Sequence, residues 1–285
     1  MDRLGLIAGG GGLPVEIAEH CRRSGRPIFV VRLKGFAGED LAGYPGAEVG
    51  LAELGKCIKA LKAADCRAVC LAGNVARPDF ASLVPDLRGL AVLPRAVAAA
   101  RAGDDALLRL LVGEFEREGF RVEGAHEVMA DLSLPRGALG RHRPADEATT
   151  ADVLRALDTA RAIGRLDIGQ AAVVARGLVL AVEAQEGTDA MLARIEGLPP
   201  HLRGEPGAGV GVLAKAPKPI QETRVDLPTI GVATVEGVAR AGLAGIAGEA
   251  GRLLVLERDA VIARADELGV FVVGVEPPAG PSGDA

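Results

Sequence analysis

Three short apolar runs that never alternate with polar residues set the architecture of this chain. They are Leu4 to Ala8 (LGLIA), Pro27 to Leu33 (PIFVVRL) and Ala68 to Ala72 (AVCLA). A strand with one wet face alternates, whereas a strand buried on both faces does not, and parallel sheets covered by helices are built from the second kind. Helical stretches separate the runs. Leu13, Ile17, Ala18 and Cys21 share one helical face, with Pro14 in the first turn and Gly25 as a stop. Glu53 to Ala64 and Pro94 to Ala102 read as helices. Asp104 can cap a further helix whose Leu107, Leu108, Leu111 and Phe115 form a stripe. Phe120 to Gly124 returns as a strand. This alternation predicts an α/β fold, with a Rossmann-like parallel sheet and right-handed crossovers in the N-terminal part.

Leu134 to Pro144 (LPRGALGRHRP) breaks both periods, and 134–145 reads as a linker. Residues 1–133 are then the first domain and 146–285 the second, which is consistent with a chain of 285 residues. The second half opens with a helix near Thr149 to Ile163. Ala171 to Ala175 and Leu178 to Glu183 flank Arg176-Gly177 as a hairpin. A helix from Thr188, a strand from Gly209 to Ala214, a helix at Val235 to Ala241, a strand at Leu253 to Leu256, a helix at Arg258 to Leu268 and a strand at Val270 to Val275 follow. A hairpin combined with strand–helix alternation predicts a mixed sheet in a C-terminal α/β domain.

Composition removes several function classes. Lys+Arg 33 against Asp+Glu 38 gives a net charge of -5, so a generally basic nucleic-acid binder is excluded, and no nucleic-acid partner is expected. Aromatic residues are 2% with no Trp, which leaves no platform on which bases could stack. No stretch approaches the roughly 18 apolar residues of a membrane span. Cys21, Cys57, Cys66 and Cys70 lack ligand spacing and a nearby His, so they read as small buried hydrophobes. With no leader in view, the expected location is the cytoplasm.

Several segments can carry chemistry. Gly9 to Gly12 joins a strand to a helix, where backbone N–H groups and the helix dipole favour a phosphate. A dinucleotide fingerprint is not met, because position 14 is Pro and the second strand ends in Arg32 and Lys34 rather than an acid. Gly73-Asn74 ends the third strand, on the side of an open sheet where ligands gather. Asp104-Asp105 supplies two acids at a helix start; one suffices as a cap, and two can hold Mg²⁺ together with substrate phosphates. Glu183, Glu186 and Asp189 crowd around Thr188, a cluster that needs either solvent or a cation. The most informative stretch is KAPKPIQETRVDLPTIG, Lys215 to Gly231. Its three Pro stiffen a segment that carries Lys215, Lys218, Arg224 and Asp226. Point charges, a guanidinium fork and an acid are what a diphosphate and its metal require.

In order along the chain stand Leu6-Ile-Ala-Gly-Gly-Gly with Leu13-Pro14, Gly73-Asn74-Val75 with Arg77-Pro78, Gly103-Asp104-Asp105, Asp167-Ile-Gly-Gln170, Glu186-Gly-Thr-Asp189, Lys215-Ala-Pro-Lys218-Pro and Asp226-Leu-Pro-Thr-Ile-Gly231. This ordered set resembles the UDP-2,3-diacylglucosamine pyrophosphatases of the LpxI type, from the N-terminus to about Val275. The resemblance implies hydrolysis of UDP-2,3-diacylglucosamine to UMP and 2,3-diacylglucosamine 1-phosphate (lipid X) in lipid A biosynthesis. It also implies Mg²⁺, attack of water on the sugar-side phosphorus, two domains with the lipid held between them, and Asp226 as the acid catalysis needs.

On residues and resemblance together, Asp226, Lys215 and Lys218 are the expected catalytic groups. Asp226, Asp189 and Asp105 are the expected Mg²⁺ ligands. Gly10, Gly11, Gly12, Leu13, Gly73, Asn74, Asp104, Gln170, Thr188 and Arg224 are expected to contact substrate. An amphiphilic substrate implies transient work at the inner-membrane surface without an anchor; association as a homodimer is left open. The competing readings are a non-catalytic sugar-nucleotide or lipid carrier and a nicotinamide-dependent oxidoreductase.

Overall fold

The computed structural model describes residues 1–76, 79–218 and 222–277, and in Ala81, Ala102 and Asp104 the backbone alone. The chain forms two compact units: Met1–Ala130 together with Glu222–Asp226, and Asp131–Gln221 together with Leu227–Ala285.

The first unit is built from β1 (Leu4–Ala8), α1 (Leu13–Ser24), β2 (Ile28–Leu33), β3 (Gly46–Val49), α2 (Leu54–Ala63), β4 (Ala68–Ala72), α3 (Leu87–Ala102), α4 (Asp104–Arg117), β5 (Arg121–Val122) and the single turn α5 (Ala125–Val128). Its sheet has the order β3-β2-β1-β4-β5, and every pair is parallel. All five residues of β1 are buried, as its unbroken apolar run demands. The order turns at β1: β2 and β3 extend to one side, β4 and β5 to the other. The crevice for ligands in such a sheet lies outside the carboxyl ends of the two central strands, here β1 and β4.

Local chemistry fixes the helices. Gly25 adopts φ 71° at the end of α1, and its N–H returns to the Cys21 and Arg22 carbonyls. The Asp86 carboxylate accepts the Gly89 N–H at 2.8 Å, so α3 starts at Leu87 rather than at Pro94. Pro94 lies inside the helix. The core joins Ile7, Val31 and Val69 of the sheet to Ile58, Leu61, Val112 and Phe115 of the helices. Phe115 meets Phe120 edge-on with ring centroids 6.3 Å apart. Cys21, Cys57, Cys66 and Cys70 are all buried free thiols. Burial pushes Cys57 and Cys70 up to about 12 and Cys66 to about 11, which suits their reading as small hydrophobes.

The second unit contains β6 (Gly137–Leu139), α6 (Glu147–Arg165), β7 (Ala171–Ala175), β8 (Leu178–Val182), α7 (Gly187–Glu196), α8 (Pro200–Arg203), β9 (Gly204–Glu205), β10 (Ala208–Gly209), β11 (Val212–Lys215), β12 (Thr229–Ile230), α9 (Val232–Arg240), β13 (Gly245–Glu249), β14 (Leu254–Val255), α10 (Arg258–Leu268) and β15 (Phe271–Val275). Its main sheet runs β6-β15-β13-β11-β7-β8. β11, β13 and β15 are parallel, whereas β6, β7 and β8 join antiparallel. The sheet is therefore mixed, and the hairpin at Arg176-Gly177 is present, with φ of 52° and 73° at its two residues. α6 covers one face through Val153, Ala156, Leu157 and Ala160. α7, α9 and α10 cover the other through Met191, Leu192, Val235, Val238 and Val261.

The segment 134–145 corrects its reading as a linker. Leu134 is fully buried in the second core, and Gly137–Leu139 pairs antiparallel with Val272 to Gly274. Edge position explains the missing pattern. A three-residue edge strand needs no buried alternation, and Gly137 takes φ 86° at its start. Among the described residues, no helix is long and apolar enough to cross a membrane.

Candidate active site

The Gly9–Gly12 loop leaves β1, and the Gly73-Asn74 turn leaves β4. The two are bound to each other: the Gly10 N–H donates to the Asn74 carbonyl and the Asn74 N–H to the Gly10 carbonyl, both at 2.8 Å. This close approach explains two glycines. A Cβ on Gly9 would stand 2.8 Å from the Asn74 carbonyl oxygen. One on Gly73, which has φ 95°, would stand 2.6 Å from the Gly10 carbonyl oxygen. Gly11 and Gly12 are exposed and meet no such close approach, although Gly11 takes φ 85°; α1 then begins at half-buried Leu13 with no side chain capping its first N–H groups. Those amides point where the α1 dipole favours an anion. The Asn74 side-chain amide lies beside Gly11, since a Cβ there would be 3.6 Å from Asn74 Nδ2. Arg32, at the end of β2, donates to the Leu41 and Tyr44 carbonyls and so is engaged by its own loop.

A cavity of about 410 Å³ opens below this pair of loops within the first unit. That is a small-molecule size, within the roughly 300–1,000 Å³ of ligand pockets. Ile7, Leu33 and Leu71 of the sheet and Val92, Leu111 and Phe115 of the helices make it apolar. Its polar wall is confined to few groups, among them Glu53, Asn74 and Asp226.

Asp226 arrives there on the turn Glu222–Asp226, which packs with the first unit although its neighbours on both sides belong to the second. The Glu222 carbonyl accepts the N–H groups of Val225 at 2.9 Å and Asp226 at 3.1 Å. Asp105 holds the turn from α4. Its Oδ1 accepts the Glu222 N–H at 2.6 Å, across 117 residues of sequence, and its Oδ2 faces Arg109 Nη2 at 2.6 Å. Asp105 is 6% exposed. Asp105 thus anchors the turn through Oδ1, while its buried Oδ2, though close to Arg109, makes no hydrogen bond and leaves the expected part as a metal ligand open.

Arg224 is likewise committed. It forks onto Glu222 at 2.8 and 2.9 Å and reaches Glu116 at 2.7 Å. Glu222 and Glu116 hold its guanidinium even more firmly protonated than usual, and Arg224 in turn depresses Glu222. Arg224 thus braces the turn that carries Asp226.

In the second unit, a separate group gathers where β11 ends and β7 begins. Lys215 is buried and its Nζ donates to the Thr229 carbonyl at 3.0 Å. Lys218 Nζ meets Asp167 Oδ1 at 2.6 Å, and Asp167 has φ 55°. The Ala216 N–H donates to the Gln170 carbonyl at 3.0 Å, and the Gln170 N–H to Glu183 Oε2 at 3.1 Å. Thr188 Oγ1 donates to Glu183 Oε1 at 2.6 Å. Lys215, Lys218, Gln170 and Thr188 are thus neighbours, and the Gln170 side-chain oxygen is buried without a hydrogen-bond donor. An orphaned buried acceptor is costly, and a ligand donor would relieve it.

Asp167 and Glu183 were missed as participants. Asp167 stands in a motif as its first residue; Glu183 was grouped with Glu186 and Asp189. Burial, which sequence does not show, separates those three. Glu183 is 6% exposed, while Glu186 and Asp189 are exposed, with Glu186 paired to Arg194 at 2.6 Å. No common cation is needed to reconcile them, and Asp189 sits in the first turn of α7, where the dipole favours it. Among the described residues, no three His, Cys, Asp or Glu side chains gather to hold a metal ion. The Asp104 side chain and Arg77-Pro78 lie outside the described residues.

Two matches decide the family. The LpxI N-terminal domain matches residues 3–132 and the LpxI C-terminal domain matches residues 135–273. The chain belongs to the LpxI family. A Caulobacter vibrioides protein, UDP-2,3-diacylglucosamine pyrophosphatase LpxI, is 66% identical over 277 residues, which is 97% of this chain and 99% of that one. Among solved structures, CobK precorrin-6A reductase aligns over 100% of this chain and 91% of its own at 13% identity and a TM-score of 0.31. N5-carboxyaminoimidazole synthase from Aspergillus clavatus aligns over 65% and 41% at 12% identity and a TM-score of 0.24. Likenesses of that size carry no argument for this LpxI chain.

Proposed function

We propose that this LpxI chain hydrolyses UDP-2,3-diacylglucosamine, with water attacking the sugar-side phosphorus. The P–O–P bridge breaks, UMP departs with the bridging oxygen, and 2,3-diacylglucosamine 1-phosphate keeps the oxygen of the water. One observation carries the reading. Asp226 reaches the cavity at the carboxyl ends of β1 and β4 and shares its wall with Gly9, Gly73 and Asn74. A carboxylate, a glycine loop and an uncapped helix start then stand at the position where open parallel sheets bind ligands. The apolar remainder of the cavity suits an acyl chain, and the 66% identical relative is named for such a substrate.

In this proposal the Gly10–Gly12 amides and Asn74 bind phosphate or nucleotide oxygens. Asp226 orients the attacking water or holds a cation, and Asp105 and Arg224 keep Asp226 in place. Lys215 and Lys218 neutralise charge on the phosphates, Lys218 exchanging Asp167 for a phosphate oxygen. Gln170 accepts a donor from the substrate through its orphaned oxygen. The donor set fits Mg²⁺, which is usually held by one or two carboxylates plus substrate phosphates rather than by an all-protein cage. When bound, it would supply positive charge to the phosphoryl oxygens. Four free, buried thiols fit a reducing compartment, and we place the reaction in the cytoplasm.

The test is Asp226→Ala. Loss of such a group from a polar catalytic site costs on the order of 10²–10³-fold in kcat. Substrate binding is expected to survive. Hydrolysis at near wild-type rate would remove Asp226 from the reaction. Tight binding with no turnover by the wild-type chain at any Mg²⁺ concentration would favour a carrier instead.

A further inference from the structure

We propose that the outward face of α3, with Val84 just ahead of it, docks on an anionic lipid bilayer. This surface lies in the first unit and is separate from the cavity. Val84 is 81% exposed, Leu87 90% and Leu90 58%. Large apolar side chains scattered singly are ordinary, but three within seven residues on one surface are not. Further along the same face Ala91, Pro94 and Ala98 are exposed as well. The inward face of the same helix is also apolar: Gly89, Val92, Leu93 and Ala96 line the cavity. A helix with apolar residues on two opposite faces is normally buried on both. This one is buried on one side only.

Charge selects the partner. The sixteen residues of α3 contain Arg88, Arg95 and Arg101 and no acid, within a chain of net charge -5. Arg88 and Arg95 run along one edge of the apolar strip. Next to them, Arg88, Arg95 and Arg117 converge on Glu114, and Lys62 and Arg88 on Glu118, so that four cations surround two carboxylates. Arg88 and Arg95 are themselves ion-paired, yet the cluster keeps more cations than carboxylates, and Asp86 at the helix start is taken up by the Gly89 and Lys56 N–H groups; apolar residues bordered by such an excess are the pattern of an interfacial helix on acidic lipid. A second copy of the chain fits poorly, since a two-fold contact through this face would set one copy's arginines against the other's. The orientation that follows places the cavity wall formed by α3 directly behind the lipid-facing surface.

The experiment is flotation with vesicles of phosphatidylethanolamine and phosphatidylglycerol, and with neutral phosphatidylcholine, at low and high salt. The wild-type chain is expected to float with the anionic vesicles, less so at high salt. Leu87→Glu with Leu90→Glu is expected to weaken that binding more than about tenfold, because both side chains lose their transfer into the interface. Neither residue lines the cavity, so the melting temperature and hydrolysis of detergent-dispersed substrate are expected to stay as in wild type. If the double variant aggregates, Leu87→Ser with Leu90→Ser reads the same contribution. No flotation of wild type, equal flotation of the variant, or equal binding to phosphatidylcholine would overturn the proposal. So would a dimer in sedimentation that these substitutions dissolve.

Discussion

Asp105 offers the sharpest separation between a metal ligand and a positioning residue. Its Oδ1 holds the Glu222 N–H at 2.6 Å, and its Oδ2 faces Arg109 at 2.6 Å. Arg109 is 51% exposed, so that ion pair contributes at most about 1 kcal/mol. The hydrogen bond from this part-buried backbone amide to a carboxylate is worth about 1.5–3 kcal/mol. Asp105→Ala removes both and leaves the amide unsatisfied, which loosens the turn by about 2 kcal/mol. At about 1.4 kcal/mol per decade, the turn is then in place roughly 30-fold less relative to its displaced states, which bounds the fall in kcat. Asp105→Asn is different, because its amide oxygen can still accept from Glu222. It is expected to keep kcat within a few-fold of wild type, with an unchanged dependence on Mg²⁺. The assay is kcat, KM and the Mg²⁺ titration for both variants, alongside their melting temperatures. If Asn were as damaging as Ala, and both raised the Mg²⁺ requirement, the carboxylate would be a ligand and the anchoring argument would fail.

Two further outcomes are expected. Gly73→Ala must place a Cβ 2.6 Å from the Gly10 carbonyl oxygen at φ 95°, so beyond the roughly 1–2 kcal/mol of backbone strain it forces the two loops apart; a fall in melting temperature together with lost substrate binding checks this, and wild-type behaviour refutes it. In acid, burial disfavours the Glu123 carboxylate, but Arg26 and Arg121 outweigh burial and hold it below the ordinary glutamate range; its contribution is therefore complete above the unfolded value of about 4.3 and is lost as pH falls through the depressed folded value. Melting temperature against pH should fall less steeply below about 4.3 for Glu123→Gln than for wild type, and parallel curves would contradict the assignment.

The buried strands were legible because burial on both faces leaves an uninterrupted apolar run, as in β1 and β4 and at Val30-Val31 in β2. The edges were not. β3 is GAEV with two exposed residues, and β5 is only two residues long, so neither needs a run. α3 was half visible: Pro94 reads as a helix start, and only the Asp86 cap shows that the helix begins seven residues earlier. The site was legible as residue types and not as partnerships. Nothing in DD or ETRVD says that Asp105 will accept the Glu222 amide, or that Arg224 will be shared by Glu222 and Glu116. Those pairings join elements distant in sequence, and only the folded chain brings them together.

The division of the segment from Lys215 to Gly231 between units then has a physical reason. The carboxyl ends of β1 and β4 offer amides, a carboxamide and a helix dipole, all suited to an anion. The two loops there, Gly9–Leu13 and Gly73-Asn74, contain no carboxylate. Glu53 also lines the cavity, but it is bound to the Gly50 N–H and to Lys56, so neither loop brings a carboxylate that could orient water or hold a cation. In the proposed reaction the acid is Asp226, which comes on a turn fixed at two points: Asp105 holds its first amide, and Arg224 ties it to α4 through Glu116. Both tethers leave from α4, whose Leu107, Leu111 and Phe115 also line the cavity. One helix thus sets both the depth of the apolar pocket and the position of the carboxylate at its mouth. A change in α4 packing, such as Leu111→Ala, would therefore be felt at Asp226 even though Leu111 carries no chemistry of its own.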